Sequence, residues 1–85
     1  MSEIDVLRKD IDRLDKEICD LLVARFAVVR GIGEVKKRDG IPITNEGREE
    51  AVIARVRSAT SVEGEKNALE AIYRQVIAES KKLEQ

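Results

Sequence analysis

The stretch from Ile4 to Val35, IDVLRKDIDRLDKEICDLLVARFAVVRGIGEV, decides how this chain folds. Ile4, Leu7, Ile11, Leu14, Ile18, Leu21, Arg25, Val28, Ile32 and Val35 follow one another at alternating steps of three and four residues. Steps of that size return to one face of an α-helix, and a seam sustained over several heptads asks for a facing helix. The pattern predicts one helix from about residue 3 to residue 38, roughly 50 Å long at about 1.5 Å per residue. No monomeric core that 85 residues build would cover such a helix. The simplest partner for the seam is a second copy of the chain.

Outward from this stretch, Asp39-Gly40-Ile41-Pro42 stops the helix. Gly40 takes the left-handed conformation beyond a helix end, and Pro42 cannot continue it. Thr44 or Asn45 is a suitable N-cap. It opens a second helix over about 46–59, with Val52, Ile53 and Val56 as its apolar face. Residues 59–64 read as a loop. A third helix runs from about 65 to the end, with Leu69, Ile72, Tyr73, Val76, Ile77 and Leu83 facing inward. The expected fold class is all-α, one long and two shorter helices, with residues 1–85 as a single domain paired as a homodimer.

Composition narrows the function. Charged residues make up 39% of the chain, yet sixteen basic residues face seventeen acidic ones. A net charge of −1 draws the whole molecule neither to nucleic acid nor to anionic lipid. The run Lys36-Lys37-Arg38 reads as a solvated helix end that complements the helix dipole. There is no His, which removes the commonest general base and the commonest transition-metal ligand. The single cysteine, Cys19, allows no intrachain disulfide and reads as a small, partly buried residue of the helix. With no signal peptide and no membrane-length apolar run, the expected compartment is the reducing cytoplasm. No cofactor and no metal are expected.

The informative residues are polar ones on apolar faces. Arg25 holds a seam position between Leu21 and Val28. An unpaired cation there costs several kcal/mol, so it needs either a ligand anion or an internal carboxylate, the latter fixing register as polar seam residues do. Lys36 lies eleven residues on, nearly on the same face and roughly 16 Å away; alone it reads as a surface lysine. Arg8 lies seventeen residues before Arg25, roughly 25 Å along one straight helix. The two meet over a small ligand only across an antiparallel pair of long helices. Arg48 and Glu49 open the second helix, where a carboxylate is favoured by the dipole alone. Ser80 and Glu84 continue the inward stripe of the third helix, though Ser80 has the option of bonding back to its own helix and Glu84 that of a solvated, frayed end.

These segments together resemble a known family. Leu7-Arg8-Lys9-Asp10-Ile11-Asp12-Arg13-Leu14-Asp15 is similar to the opening of the long helix in the all-helical chorismate mutases. Leu21-Leu22-Val23-Ala24-Arg25 resembles their LL-x-x-R segment, and Gly33-Glu34-Val35-Lys36 the segment that carries their lysine. Ile41-Pro42-Ile43-Thr44-Asn45-Glu46-Gly47-Arg48-Glu49 resembles their turn into the second helix. The resemblance implies an intertwined homodimer with two composite sites and chorismate, a small dianion, as substrate, rearranged to prephenate for aromatic amino-acid biosynthesis. It implies that Arg25, Arg48 and the partner chain's Arg8 hold the carboxylates and that Lys36 donates to the ether oxygen. Glu49 and Asn45 would meet the ring hydroxyl, the backbone around Ile32 would line the pocket, and Ser80 with Glu84 would close it. Such a unimolecular rearrangement asks for a compact conformer and for cations where the ether oxygen gains charge, not for a nucleophile or a metal.

Two positions depart from the family pattern. Asn45 stands where many members have Asp, and an amide oxygen still accepts a hydrogen bond. Glu84 stands where Gln is usual, and an ionised Glu cannot donate. Either the reaction runs best in acid, with Glu84 protonated, or Glu84 lies outside the site and Gln85 or water replaces it. Isochorismate-pyruvate lyase, on the same scaffold, remains an alternative, as does a non-catalytic helical dimerisation or regulatory module. Docking onto another shikimate-pathway enzyme is compatible with all three.

Overall fold

A computed structural model describes residues 2–85. Three helices follow in chain order, α1 (Glu3–Asp39), α2 (Glu46–Arg57) and α3 (Glu63–Leu83), and the described residues contain no strand. The ends of α1 show why it runs 37 residues without a break. Ser2 Oγ accepts the Asp5 N–H at 3.1 Å while Asp5 Oδ2 accepts the Ser2 N–H at 3.4 Å, a reciprocal cap. At the far end Gly40 turns left-handed at φ 68°, and its N–H and that of Ile41 both donate to the Lys36 carbonyl. Acidic Glu3 and Asp5 at the start and basic Lys36, Lys37 and Arg38 at the end both suit the dipole.

Asn45, rather than Thr44, caps α2, its Oδ1 accepting the Arg48 N–H at 3.0 Å. Two boundaries differ from the sequence reading. α2 stops at Arg57 instead of residue 59, because Ser58 turns its hydroxyl onto the Arg55 carbonyl at 2.6 Å. α3 begins at Glu63 instead of residue 65 and takes in Gly64, which the sequence reading places in the 59–64 loop. Glycine is tolerated there because Glu63 and Glu65 favour the first turn and are themselves held, Glu63 by Arg57 at 3.1 Å and Glu65 by the Thr60 hydroxyl at 2.7 Å.

Side-chain pairs define how the helices lie. Arg57 meets Glu63 and Glu70, Arg74 reaches back to Glu50, and Lys81 to Glu49, so α2 and α3 run antiparallel as a hairpin. The hydrogen bond from Arg74, with Arg57 close by, holds the Glu70 carboxyl below its ordinary range. Against α1, Arg25 meets Ser80 and Lys36 meets Glu84, so α3 runs parallel to the C-terminal half of α1. The hairpin is too short to reach further.

The consequence is an asymmetric burial. Val29, Val52 and Ile53 form the core at 4–7% exposure, and every residue from Ser2 to Leu21 is exposed. Ile4, Leu7, Ile11, Leu14, Ile18 and Leu21 retain 42–72% of their surface. Cys19 is exposed, against the expectation of partial burial, because among the described residues neither α2 nor α3 reaches that part of α1. Ile72, expected to face inward, is 60% exposed, since α3 presents Tyr73, Val76, Ile77 and Ser80 to its neighbours instead. Among the described residues no helix is long and apolar enough to cross a membrane.

With so few buried side chains, each counts. Truncating Ile53 to Ala is expected to cost about 2–5 kcal/mol, read by urea unfolding at fixed protein concentration. Leu21→Ala, on the exposed seam, should cost much less in the isolated chain.

Candidate functional site

A half-open pocket of about 130 Å³ lies where α1, the 41–45 connection, α2 and the end of α3 converge. Arg25, Ile32 and Lys36 line it from α1, Asn45, Arg48 and Glu49 from the start of α2, and Ser80 and Glu84 from the end of α3. Eight of the nine residues singled out from the sequence therefore share one cavity. The ninth, Arg8, lies on the exposed half of α1, outside this chain's pocket wall.

Arg25 is held without a carboxylate. Its Nη1 donates to Ser80 Oγ at 2.7 Å, and its guanidinium carbon lies 5.5 Å from the centre of the Tyr73 ring. Ser80 is 5% exposed and donates its own proton to the Val76 carbonyl at 2.6 Å, so its lone pairs face the arginine. Both sequence readings of Ser80, back-bonding to the helix and facing the site, hold together. Among the described residues neither Arg25 nor Arg48 forms an ion pair.

Lys36 is tied on two sides. Its Nζ donates to the Ile43 carbonyl at 2.7 Å and to Glu84 Oε1 at 3.0 Å. The Glu84 side chain is only 9% exposed, so it is neither frayed nor solvated, as its place near the end of the chain suggested. It lines the same pocket as Lys36. The last turn is held down because α3 meets α1 there. Gly33 is buried directly beneath Glu84.

Sequence reasoning missed Lys81. It lines the pocket between Ser80 and Glu84 and pairs with Glu49 Oε2 at 3.2 Å. Its one-residue offset from the apolar stripe marked it as outward-facing, and only the crossing of α2 brings a carboxylate to it. The Asn45 oxygen is likewise committed to the Arg48 N–H, which fixes the first turn of α2 and with it Arg48 and Glu49. Val29, Ile43, Val52 and Ile77 complete an apolar wall. The lining thus carries four cations against two carboxylates, both carboxylates already paired, leaving two guanidinium groups for an anionic ligand.

The family model for chorismate mutase type II matches residues 7–85. The chain belongs to that family. It is 37% identical over 81 residues to a T-protein of Enterobacter agglomerans, covering 94% of this chain and 22% of that protein. It is 38% identical over 88 residues to a bifunctional chorismate mutase/prephenate dehydratase of Aquifex aeolicus, covering 99% of this chain and 24% of that protein. The chain thus spans about a quarter of the length of these two relatives. A conserved hypothetical protein from Pyrococcus furiosus has the same fold, with a TM-score of 0.84 at 28% identity over 100% of this chain and 99% of that one. The family resemblance drawn from the Leu7–Asp15, Leu21–Arg25, Gly33–Lys36 and Ile41–Glu49 segments is borne out, as is the all-α fold.

In this family member the Lys36–Glu84 pair is sheltered enough to matter for folding. Lys36→Met is expected to cost about 1–3 kcal/mol by stranding a buried carboxylate. Adding Glu84→Gln should recover part of that loss, measured by urea unfolding of the single and double variants.

Proposed function

We propose that the chain is a chorismate mutase that rearranges chorismate to prephenate in aromatic amino-acid biosynthesis. The observation that carries the proposal is the pair of guanidinium groups, Arg25 and Arg48, that share one pocket with Lys36 and, among the described residues, form no ion pair. A substrate with two carboxylates matches that surplus, and the arginine fork suits a carboxylate as the compact lysine charge suits a single oxygen. In the rearrangement the ether C–O bond breaks as a C–C bond forms within the same molecule. No atom enters or leaves, so the protein's task is to hold the folded conformer and stabilise charge at the ether oxygen.

Placement supports the following roles in this reading. Arg25, steadied by Ser80 and Tyr73, and Arg48 grip the carboxylates. Lys36, steadied by the Ile43 carbonyl, faces the ether oxygen. Glu49, held by Lys81, and Asn45 receive the ring hydroxyl. Ile32 lines the floor. The reading includes an intertwined homodimer, because α1 exposes an apolar seam that this chain does not cover. An antiparallel second copy lays its Arg8 beside Arg25 and completes the site. A cytoplasmic location, and docking onto another enzyme of the shikimate pathway, belong to the same reading. Fusion to a prephenate dehydratase in the Aquifex aeolicus relative is in keeping with such coupling.

Glu84 makes the reaction pH-dependent in this reading. Ionised, it neutralises Lys36 and repels the charge growing on the ether oxygen; protonated, it donates there.

Loss of chorismate ultraviolet absorbance, with prephenate identified by acid conversion to phenylpyruvate, tests the activity. Arg25→Ala and Lys36→Ala are each expected to lower kcat/KM by on the order of a hundredfold or more. Wild type should gain turnover as pH falls, and Glu84→Gln should flatten that profile. Mixing the inactive Arg8→Ala and Arg25→Ala chains should restore turnover, because a mixed dimer contains one intact site; no recovery would sink the shared-site reading. Release of pyruvate from isochorismate, with no loss of chorismate, would turn the assignment to the lyase.

A further inference from the structure

Gly33 is the one glycine inside a helix that the structure cannot replace without moving backbone. It has ordinary helical geometry, since the only positive φ in the described chain is at Gly40. A helix-interior glycine costs stability relative to alanine, so its presence needs another reason. A Cβ at Gly33 would lie 2.5 Å from the Glu84 carbonyl oxygen, 2.7 Å from its Cα and 2.9 Å from its carbonyl carbon. All three are main-chain atoms, so no rotamer change relieves the clash. At Gly31, two residues earlier on the same helix, a Cβ would meet nothing within 4 Å.

We propose that Gly33 is a positioning residue of the site: its missing side chain lets the Glu84 backbone seat directly on α1, one turn from Lys36, and this seat holds the Glu84 carboxylate in the pocket. The proposal rests on the function proposed above and adds a residue that touches no substrate. The fold makes the seat local. Surface clefts flank Glu84 on both sides, lined by Gly40 and Ile41 on one and by Arg30 and Leu83 on the other; besides its own helix end, where its N–H donates to the Ser80 and Lys81 carbonyls, the Glu84 backbone rests on Gly33. One turn back, Lys81 is anchored separately on Glu49 of α2. Lifting the seat therefore displaces Glu84 while Ser80, Lys81 and Arg25 keep their partners.

Gly33→Ala, Gly31→Ala and Glu84→Ala are compared by turnover against pH and by thermal unfolding. Gly31→Ala is expected to raise Tm and leave the pH profile unchanged. Gly33→Ala is expected to lower Tm although alanine is the better helix former, and to remove the acid-side gain, a loss there on the order of tenfold to a hundredfold for a misplaced group. In the Glu84→Ala background it should cost no further turnover, because the group it positions is already gone. A retained acid-side gain, or the same fold-loss in both backgrounds, overturns the proposal. If Gly33→Ala is too unstable to assay, the measurements are made with Gly31→Ala added; a doubly substituted chain without helical circular dichroism also overturns it, since the seat calls for a displaced helix end and not a lost fold. A wild-type chain without turnover would instead refute the mutase reading, and the opposite Tm shifts at 31 and 33 would still decide the seat.

Discussion

An unbroken 37-residue helix in an 85-residue chain creates a burial problem, and the rest of the molecule is arranged around it. α2 and α3, with 12 and 21 residues, form a hairpin that covers only the C-terminal half of α1. Where they meet, Val29, Val52 and Ile53 leave water; where they do not, Ile4 through Leu21 remain exposed. Leaving so much apolar surface in water is costly. The same asymmetry explains the place of the pocket, which lies at the covered end, where three helices converge and where Arg25 and Lys36, eleven residues apart on α1, both turn toward α3.

The pocket is organised by oppositely charged residues on the last turn of α3. Lys81 reaches α2 through Glu49, and Glu84 reaches α1 through Lys36, so one short segment ties the other two helices together with charges of opposite sign. Neither pair is fully exposed, and both line the pocket. Arg25 is handled differently. A hydroxyl and an aromatic face orient it without spending its charge, which keeps the cation available to a ligand.

Close approach does the remaining work. The seat of Glu84 on Gly33 brings main chain against main chain, and the cap of Asn45 on the Arg48 N–H sets the angle at which α2 enters the pocket. Both fix a stretch of main chain, and both determine where a charged side chain several bonds away comes to rest. A site built from flexible Arg, Lys and Glu side chains gains its order in this way, through rigid element ends rather than through the side chains themselves.

Much was legible in the sequence, for identifiable reasons. The length and face of α1 follow from hydrophobic spacing and its stop from Gly40 and Pro42, because periodicity and φ preference are local properties. The candidate residues Arg25, Lys36, Arg48, Glu49, Ser80 and Glu84 were visible as polar groups at apolar positions or as family segments, and one cavity gathers them. Local chemistry overlooked was also local in origin: the Ser2–Asp5 cap lay in plain sequence, and Glu63 and Gly64 were read as loop where the dipole favours acidic residues in the first turn. What the sequence could not disclose is pairing across elements. That Lys81 meets Glu49, that Glu84 is sheltered against Lys36 instead of solvated, that Cys19 is bare and that Gly33 carries the end of α3 all depend on the distance and crossing of helices far apart in the chain. Periodicity assigns a residue to a face; only the packed tertiary structure decides what that face meets, because contact energies fall off within a few ångströms.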